Sequence, residues 1–286
     1  MADLNPWADV SSIANNIQED ALFVVRETAL MQNLVRTYRD ARGDNPRKLY
    51  QFNQSTAGTI IETDDLTSSA FTPALLATLT PIEVGLQFFV TDRRRDSQVP
   101  ESIISDGGRE LGLAAGDYVE TALIGDMASL TGGTIGAAGT AITWGYLAAA
   151  IARAKNANKA MAVPLAAVVH GFQWAVLAKA ASVAGATVAV APGFQEEMSR
   201  SGKVSEFLGV PIYQVFGGTV SGDDFVGGVF PRDAIALDWR RAVQVEGQRD
   251  ASRRGTEFNM SAVFAHGVAR PTLGIKFTFD ASAPSS

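Results

Sequence analysis

Few side chains in this sequence have the type and spacing to do chemistry. The only histidines are His170 and His266, one at the end of a strand-like run and one before Gly267. A zinc site of the HExxH kind needs a second imidazole one helical turn away, and neither histidine has one, so structural or surface roles are expected. Gly133, Gly136 and Gly139 are spaced like a loop whose backbone N–H groups cradle phosphate. No Lys-Ser or Lys-Thr follows them and no clear strand leads in, which makes a hinge the better reading. Ser221, in Thr219-Val220-Ser221-Gly222, lacks the glycine two residues earlier that a nucleophile elbow requires, and is assigned to a loop before Phe225. Asp64-Asp65 and Asp223-Asp224 are adjacent pairs. Neighbours in an extended chain point to opposite faces, so neither pair is a ready acid/base couple, and both read as solvated turns. No catalytic residue, cofactor or metal site is expected.

Composition narrows the classes further. The 286 residues are 47% hydrophobic and carry no cysteine, which suits one large or two intertwined globular domains and excludes disulfides and thiolate metal sites. A formal charge of -6 argues against wrapping nucleic acid, which rests on a surplus of Lys and Arg. Met1 to Val10 has neither the basic nor the apolar region of a signal peptide. The longest apolar stretches, Met161 to Val169 and Val183 to Ala191, are far short of the ~20 residues that span a bilayer, so no membrane segment is expected.

The elements that must position any site follow from periodicity. Ile13, Ile17, Ala21, Val24, Thr28, Met31, Val35 and Tyr38 recur at helical spacing, and Gly43, Asn45 and Pro46 stop that helix. Gln51 to Gln54 with Gly58 to Ile61 predicts one strand of a long hairpin, and Ile82 to Val90 its return, with Asp64 to Ser69 between them as turn-forming sequence. Such a hairpin buries too little to stand alone and needs a partner surface. Pro100 opens a helix whose predicted face is Ile104, Gly108, Leu111, Ala115, Tyr118 and Ala122, running towards Met127; the glycines inside it imply close packing. Thr131 to Thr140 is a small-residue linker. A helix over 142–155, a buried strand over 160–169 and a helix over 172–181 follow.

The last third is the most distinctive. Val210-Pro211-Ile212-Tyr213-Gln214-Val215 leads to Gly217 and Gly218, then Phe225 to Phe230, Ala234 to Leu237, an alternating stretch from Trp239 to Arg254, a run from Phe258 to Val268, and Arg270 to Phe277. That order resembles the end of a tailed-phage major capsid protein. Helical arm, long hairpin, long helix, hinge, α/β segment and C-terminal strands together resemble the Hong Kong 97-type capsid fold, an α+β fold shared by tailed phages, herpesvirus shell floors and encapsulins. The resemblance implies an N-terminal arm over 1–46, an extended hairpin (E-loop) over 47–97, a peripheral domain with a spine helix over 98–136, an axial domain over 137–238 and peripheral C-terminal strands over 239–286.

Function then follows as an expectation. The resemblance implies a non-enzymatic shell protein that assembles with copies of itself as hexamers and pentamers into an icosahedral head around double-stranded DNA, contacted non-specifically. Its implied partners are a portal protein, a scaffold or protease, and a decoration protein; assembly would occur in the host cytoplasm and the product would be the virion. Some members begin with a long cleaved scaffolding segment; none is read before this arm, so either a mature form or a separate scaffold is expected. Others cross-link through a hairpin Lys, yet residues 49–97 contain none, so a covalent link of that kind is not expected. Charged clusters are the candidate inter-subunit contacts: Arg93, Arg94 and Arg95; Asp64 and Asp65; Glu196, Glu197, Arg200 and Lys203 in the loop from Gly193 to Gly209; and Arg249, Arg253 and Arg254. The alternatives are an encapsulin-like compartment and, from another class, a soluble α/β hydrolase.

Overall fold

The computed structural model describes residues 30–39, 43–52, 72–97, 100–158, 164–182, 206–217 and 222–284, with positions 59 and 70 besides. Its described elements form two main sheets with helices packed on them and a separate two-stranded ribbon.

The described residues begin with helix α1 (Leu30–Leu34) and strand β1 (Arg36–Tyr38). The arm helix was expected from Ile13 to Tyr38, and its stretch before Leu30 lies outside the described residues. It ends at Leu34 because Met31 and Val35 are drawn into the core while Arg36 to Tyr38 pair in parallel with Ala236 to Asp238. A ribbon follows, β2 (Arg47–Phe52) against β3 (Pro73–Leu79), antiparallel with a register shift between Leu49 and Tyr50. This corrects the expected pairing: the return strand is β3, and β4 (Ile82–Thr91) belongs elsewhere. Pro81 separates the two, since it offers no N–H to a ladder.

β4 instead completes a four-stranded sheet of order β1-β10-β11-β4, built on the long hairpin of β10 (Ile235–Asp250) and β11 (Gly255–Val268). Helix α2 (Asp92–Ser97) follows β4, with the Arg94 N–H donating to Thr91 Oγ1 at 3.3 Å as its N-cap. The long helix α3 (Pro100–Asp126) starts on the expected Pro. Its face is Gly108, Leu111, Ala115, Val119 and Leu123, continued by Met127 in the 3-10 turn after it, and Tyr118 and Ala122 lie off it. Leu111 and Ala115 pack on Val243, Val245, Phe258 and Met260 of the sheet. A Cβ on Gly107 would stand 2.6 Å from the Phe88 ring, so the glycine permits the helix to approach β4.

The second sheet has six strands in the order β5-β12-β9-β6-β8-β7. These are β5 (Thr134–Ile135), β6 (Leu165–His170), β7 (Glu206–Phe207), β8 (Val210–Val215), β9 (Asp224–Pro231) and β12 (Ile275–Asp280). All six residues of β6 are buried, the mark of a central strand covered on both faces. Helix α4 (Trp144–Asn158) buries Trp144, Leu147, Ala150, Ile151 and Ala154 against this sheet, and α5 (Gly171–Ser182) adds Trp174 and Leu177. The Tyr146 N–H donates to Thr143 Oγ1 at 3.3 Å in the first turn of α4.

Two further expectations change. The glycine-rich stretch from Thr131 is not a free linker: its Thr131 and Gly132 N–H groups donate to Pro271 O and Gly274 O, and β5 pairs with β12. The C-terminal strands, expected in one sheet, divide between two, because β12 pairs with β9 and β5 rather than with β11.

Candidate functional site: surfaces the subunit leaves unsatisfied

The two histidines and Asp224 are occupied structurally. His170 is buried among Phe172 and Phe225, and its Nδ1 accepts the Phe172 N–H at 3.3 Å; burial pushes its pKa below the ordinary value. His266 lies 2.9 Å from Asp126 Oδ2, and that carboxylate raises the imidazole's pKa, tying β11 to the end of α3. Asp224 accepts the Gly139 N–H at 2.7 Å, so it clamps the glycine stretch. Ser221 lies outside the described residues. Among the described residues no group of three potential metal ligands forms, and no helix is long and apolar enough to cross a membrane.

The ribbon is a different environment. Its cross-strand partners Tyr50 and Leu75 are 57% and 54% exposed. An apolar pair facing each other across two strands ordinarily supports a sheet by packing under a further layer, and here no such layer covers it within the described chain. The root of the ribbon is the reverse. Asp238 is fully buried and takes Arg47 Nε at 2.8 Å and Arg240 Nη2 at 2.9 Å, while the Arg47 guanidinium stacks 4.6 Å from the Tyr38 ring centroid. One carboxylate thus joins β1, β2 and β10, with two guanidiniums to balance its desolvation. Leu79 and Leu49 add apolar contact with Ala236, Ala265 and Ala269.

A second open surface lies where α1, α3 and the end of β8 meet. Leu30, Leu113 and Phe216 line a groove of about 680 Å³ rimmed by Glu110, Asp117 and Glu120. Phe216 is 79% exposed, although its ring lies against Gly171, where a Cβ would stand 2.5 Å away. Glu120 is buried and accepts the Met31 N–H at 2.8 Å, capping α1 from α3. Burial, opposed by that hydrogen bond and aided by Asp117, pushes its pKa up to about 7.

Of the predicted contact residues, Arg93 is exposed on α2, as is Arg94, and Arg95 follows them. Arg249 meets Asp92 through two hydrogen bonds of 2.5 and 2.8 Å, which raises its own pKa further, and Arg253 reaches Glu257 at 3.4 Å. Asp250 accepts from the Ser252 hydroxyl at 2.6 Å and from the Ser252 and Arg253 N–H groups, and the Ser252 hydroxyl foremost draws its pKa down. Arg254 takes φ of 51° there and its carbonyl accepts the Asp92 N–H. Arg249 and Arg253 therefore have carboxylate partners within this chain near the β10–β11 turn. Asp64, Asp65, Glu196, Glu197, Arg200 and Lys203 lie outside the described residues. Asp238 and Glu120 were not singled out in the sequence, because their partners Arg47 and Met31 are distant in the chain.

Comparison with solved structures places the whole architecture. The capsid of cyanophage P-SCSP1u superposes with a TM-score of 0.66 at 16% identity, over 89% of this chain and 89% of that one. The acid-stable capsid of the Helicobacter pylori bacteriophage KHP30 gives 0.66 at 10% identity, over 89% and 92%. A virus-like particle from Pyrococcus furiosus gives 0.59 at 12% identity, over 92% and 98%. No protein-family model and no curated protein matches the sequence. The chain has the Hong Kong 97-type capsid fold, and the likeness spans nearly all of it.

Proposed function

We propose that this chain is the major capsid protein of a tailed double-stranded DNA phage, assembling as hexamers and pentamers into an icosahedral head. The observation that carries the reading is the ribbon of the capsid fold, rooted by a buried ion network and left apolar and open at Tyr50 and Leu75. Surface of that kind is buried on a neighbour, and many repeated contacts sum to a stable closed shell. The ribbon with residues 53–72 acts as the E-loop, α3 as the spine helix of a peripheral domain that includes the β10–β11 hairpin, and the six-stranded sheet as the axial domain. The protein's role is structural rather than enzymatic. Assembly in the host cytoplasm draws on a portal protein and on a scaffold or protease, with a decoration protein on the finished head and DNA inside it touched without sequence preference.

The charged loop over 193–209 would contact its copies around each symmetry axis, and Arg93 to Arg95 would pair with carboxylates of a neighbour. A compartment of the encapsulin kind is the second reading, supported by the likeness to the archaeal virus-like particle. Negative-stain microscopy of the purified full chain tests the proposal: shells with fivefold and sixfold capsomers are expected, and a strictly monomeric protein would end it. Co-expression with the neighbouring structural genes separates the readings, since a phage head takes up DNA through one portal vertex and a compartment takes up a peptide-tagged protein.

A further inference from the structure

A pocket of about 520 Å³ opens beside the middle of β10, bordered by Gly43, Asp44, Arg240, Arg241 and Gln244. The pairing of β10 with β11 shifts register twice here, between Trp239 and Arg241 and between Arg241 and Gln244. Regular alternation would send two adjacent side chains to opposite faces; the irregularity brings both arginines to one pocket. Arg240 has a side chain only 4% exposed. Its Nη2 is held by Asp238 and its Nη1 lies 3.4 Å from Gly43 O, but its Nε–H is buried with no acceptor among the described residues. Arg241 gives Nη2 to Glu83, and its Nε–H is likewise buried and unpaired. Asp238 already serves Arg47 as well, so one buried carboxylate faces two guanidiniums. Glu83 balances Arg241 from an exposed position, and among the described residues Asp44 is the only carboxylate on the pocket wall. Gly43, at φ of 82°, has nothing among the described residues within 4 Å of where a Cβ would be.

We propose that this pocket binds a small oxyanion, a phosphate or a carboxylate, received by the guanidiniums of Arg240 and Arg241. Buried donors without acceptors are costly, and a planar oxyanion is the acceptor that the guanidinium fork matches. The ligand enters from the side of Arg241, which is 41% exposed, and a modest turn of the guanidiniums presents the unpaired donors. Free phosphate and a side-chain carboxylate of a second copy share this chemistry.

Calorimetric titration of the unassembled full-length subunit with sodium phosphate, against sodium chloride of equal ionic strength, tests the site. Saturable millimolar binding is expected for phosphate alone. Arg241→Gln should weaken it about tenfold, the scale of one lost charge-assisted contact. Glu83→Gln should tighten it about threefold by releasing the guanidinium. Both substitutions lie at partly exposed positions and leave Asp238 paired, and circular dichroism verifies that each variant folds. A structural role alone would not move affinity in opposite directions. Absence of binding beyond chloride, or a shift of the same sign in both variants, would overturn the proposal. Phosphate binding retained in assembled particles identifies a free anion as the ligand; binding to the subunit that disappears in particles identifies a carboxylate of the neighbouring copy.

Discussion

The six-stranded sheet and the β2–β3 ribbon solve opposite problems. In the sheet, β6 is buried along its whole length, Phe225, Phe230, Phe277 and Phe279 are nearly inaccessible, and Gln173 spends its amide on Phe225 O and Phe279 O at 3.1 and 3.0 Å. These buried groups are all satisfied within one chain. The ribbon is fixed at its root by Asp238 and offers Tyr50 and Leu75 to solvent. Stability is thus concentrated where the chain is closed, and apolar surface is presented where it is left open.

The largest test of this division is in the sheet. Phe277→Ala removes a fully buried ring that fills the space over Gly227, and a loss of about 4 kcal/mol in unfolding free energy by urea titration is expected. Tyr50→Ser, by contrast, should change subunit stability by less than ~0.5 kcal/mol, as exposed substitutions do. A comparable loss in both would erase the distinction between the regions.

At the junction, Asp238→Asn leaves Arg47 and Arg240 without their shared carboxylate. Breaking a buried ion pair from one side costs about 3 kcal/mol, and the loss should appear as faster hydrogen exchange in β1 and β2 as well as in β10. Exchange confined to β10 would show that the ribbon is rooted by other contacts.

A smaller effect is expected at the join of arm and spine. Glu120 titrates near pH 7 in the folded chain, against an ordinary value of 4.5. Between those values the folded state keeps a proton that the unfolded state has released. This contribution is therefore fully present below pH 4.5 and is lost as pH rises through 7, on the order of 2 kcal/mol after allowing for partial solvation. Glu120→Gln keeps an acceptor for the Met31 N–H and should remove that part of the pH dependence in thermal melts. An unaltered pH profile would assign the slope to other groups.

The sequence made the fold legible wherever the signal was local. Val210 to Val215, Phe225 to Phe230 and the helix from Pro100 appear at their expected places, since period, flanking glycine and proline chemistry set them. Pairing was less legible. Ile82 to Thr91 reads as a strand from its residues, yet nothing in them names Phe258 to Phe264 as partner rather than Arg47 to Phe52. The same holds for β12, which crosses to the other sheet. The candidate surfaces were legible only as a need for a partner: the polar, weakly burying hairpin was visible, while Arg249 and Arg253 looked free until the β10–β11 turn brought Asp92 and Glu257 beside them. Asp238 and Glu120 depend on strands and helices distant in sequence, and periodicity carries no trace of that.

The central proposal is that copies of this chain assemble through the open ribbon and not through the closed core. Its most direct test is analytical ultracentrifugation of the Tyr50→Ser/Leu75→Ser double variant beside the parent chain, with thermal unfolding of the same samples. A variant that melts with the parent but sediments as free subunits or capsomers, with no shell-sized species, is the predicted result. Shells formed at parental yield would contradict the account.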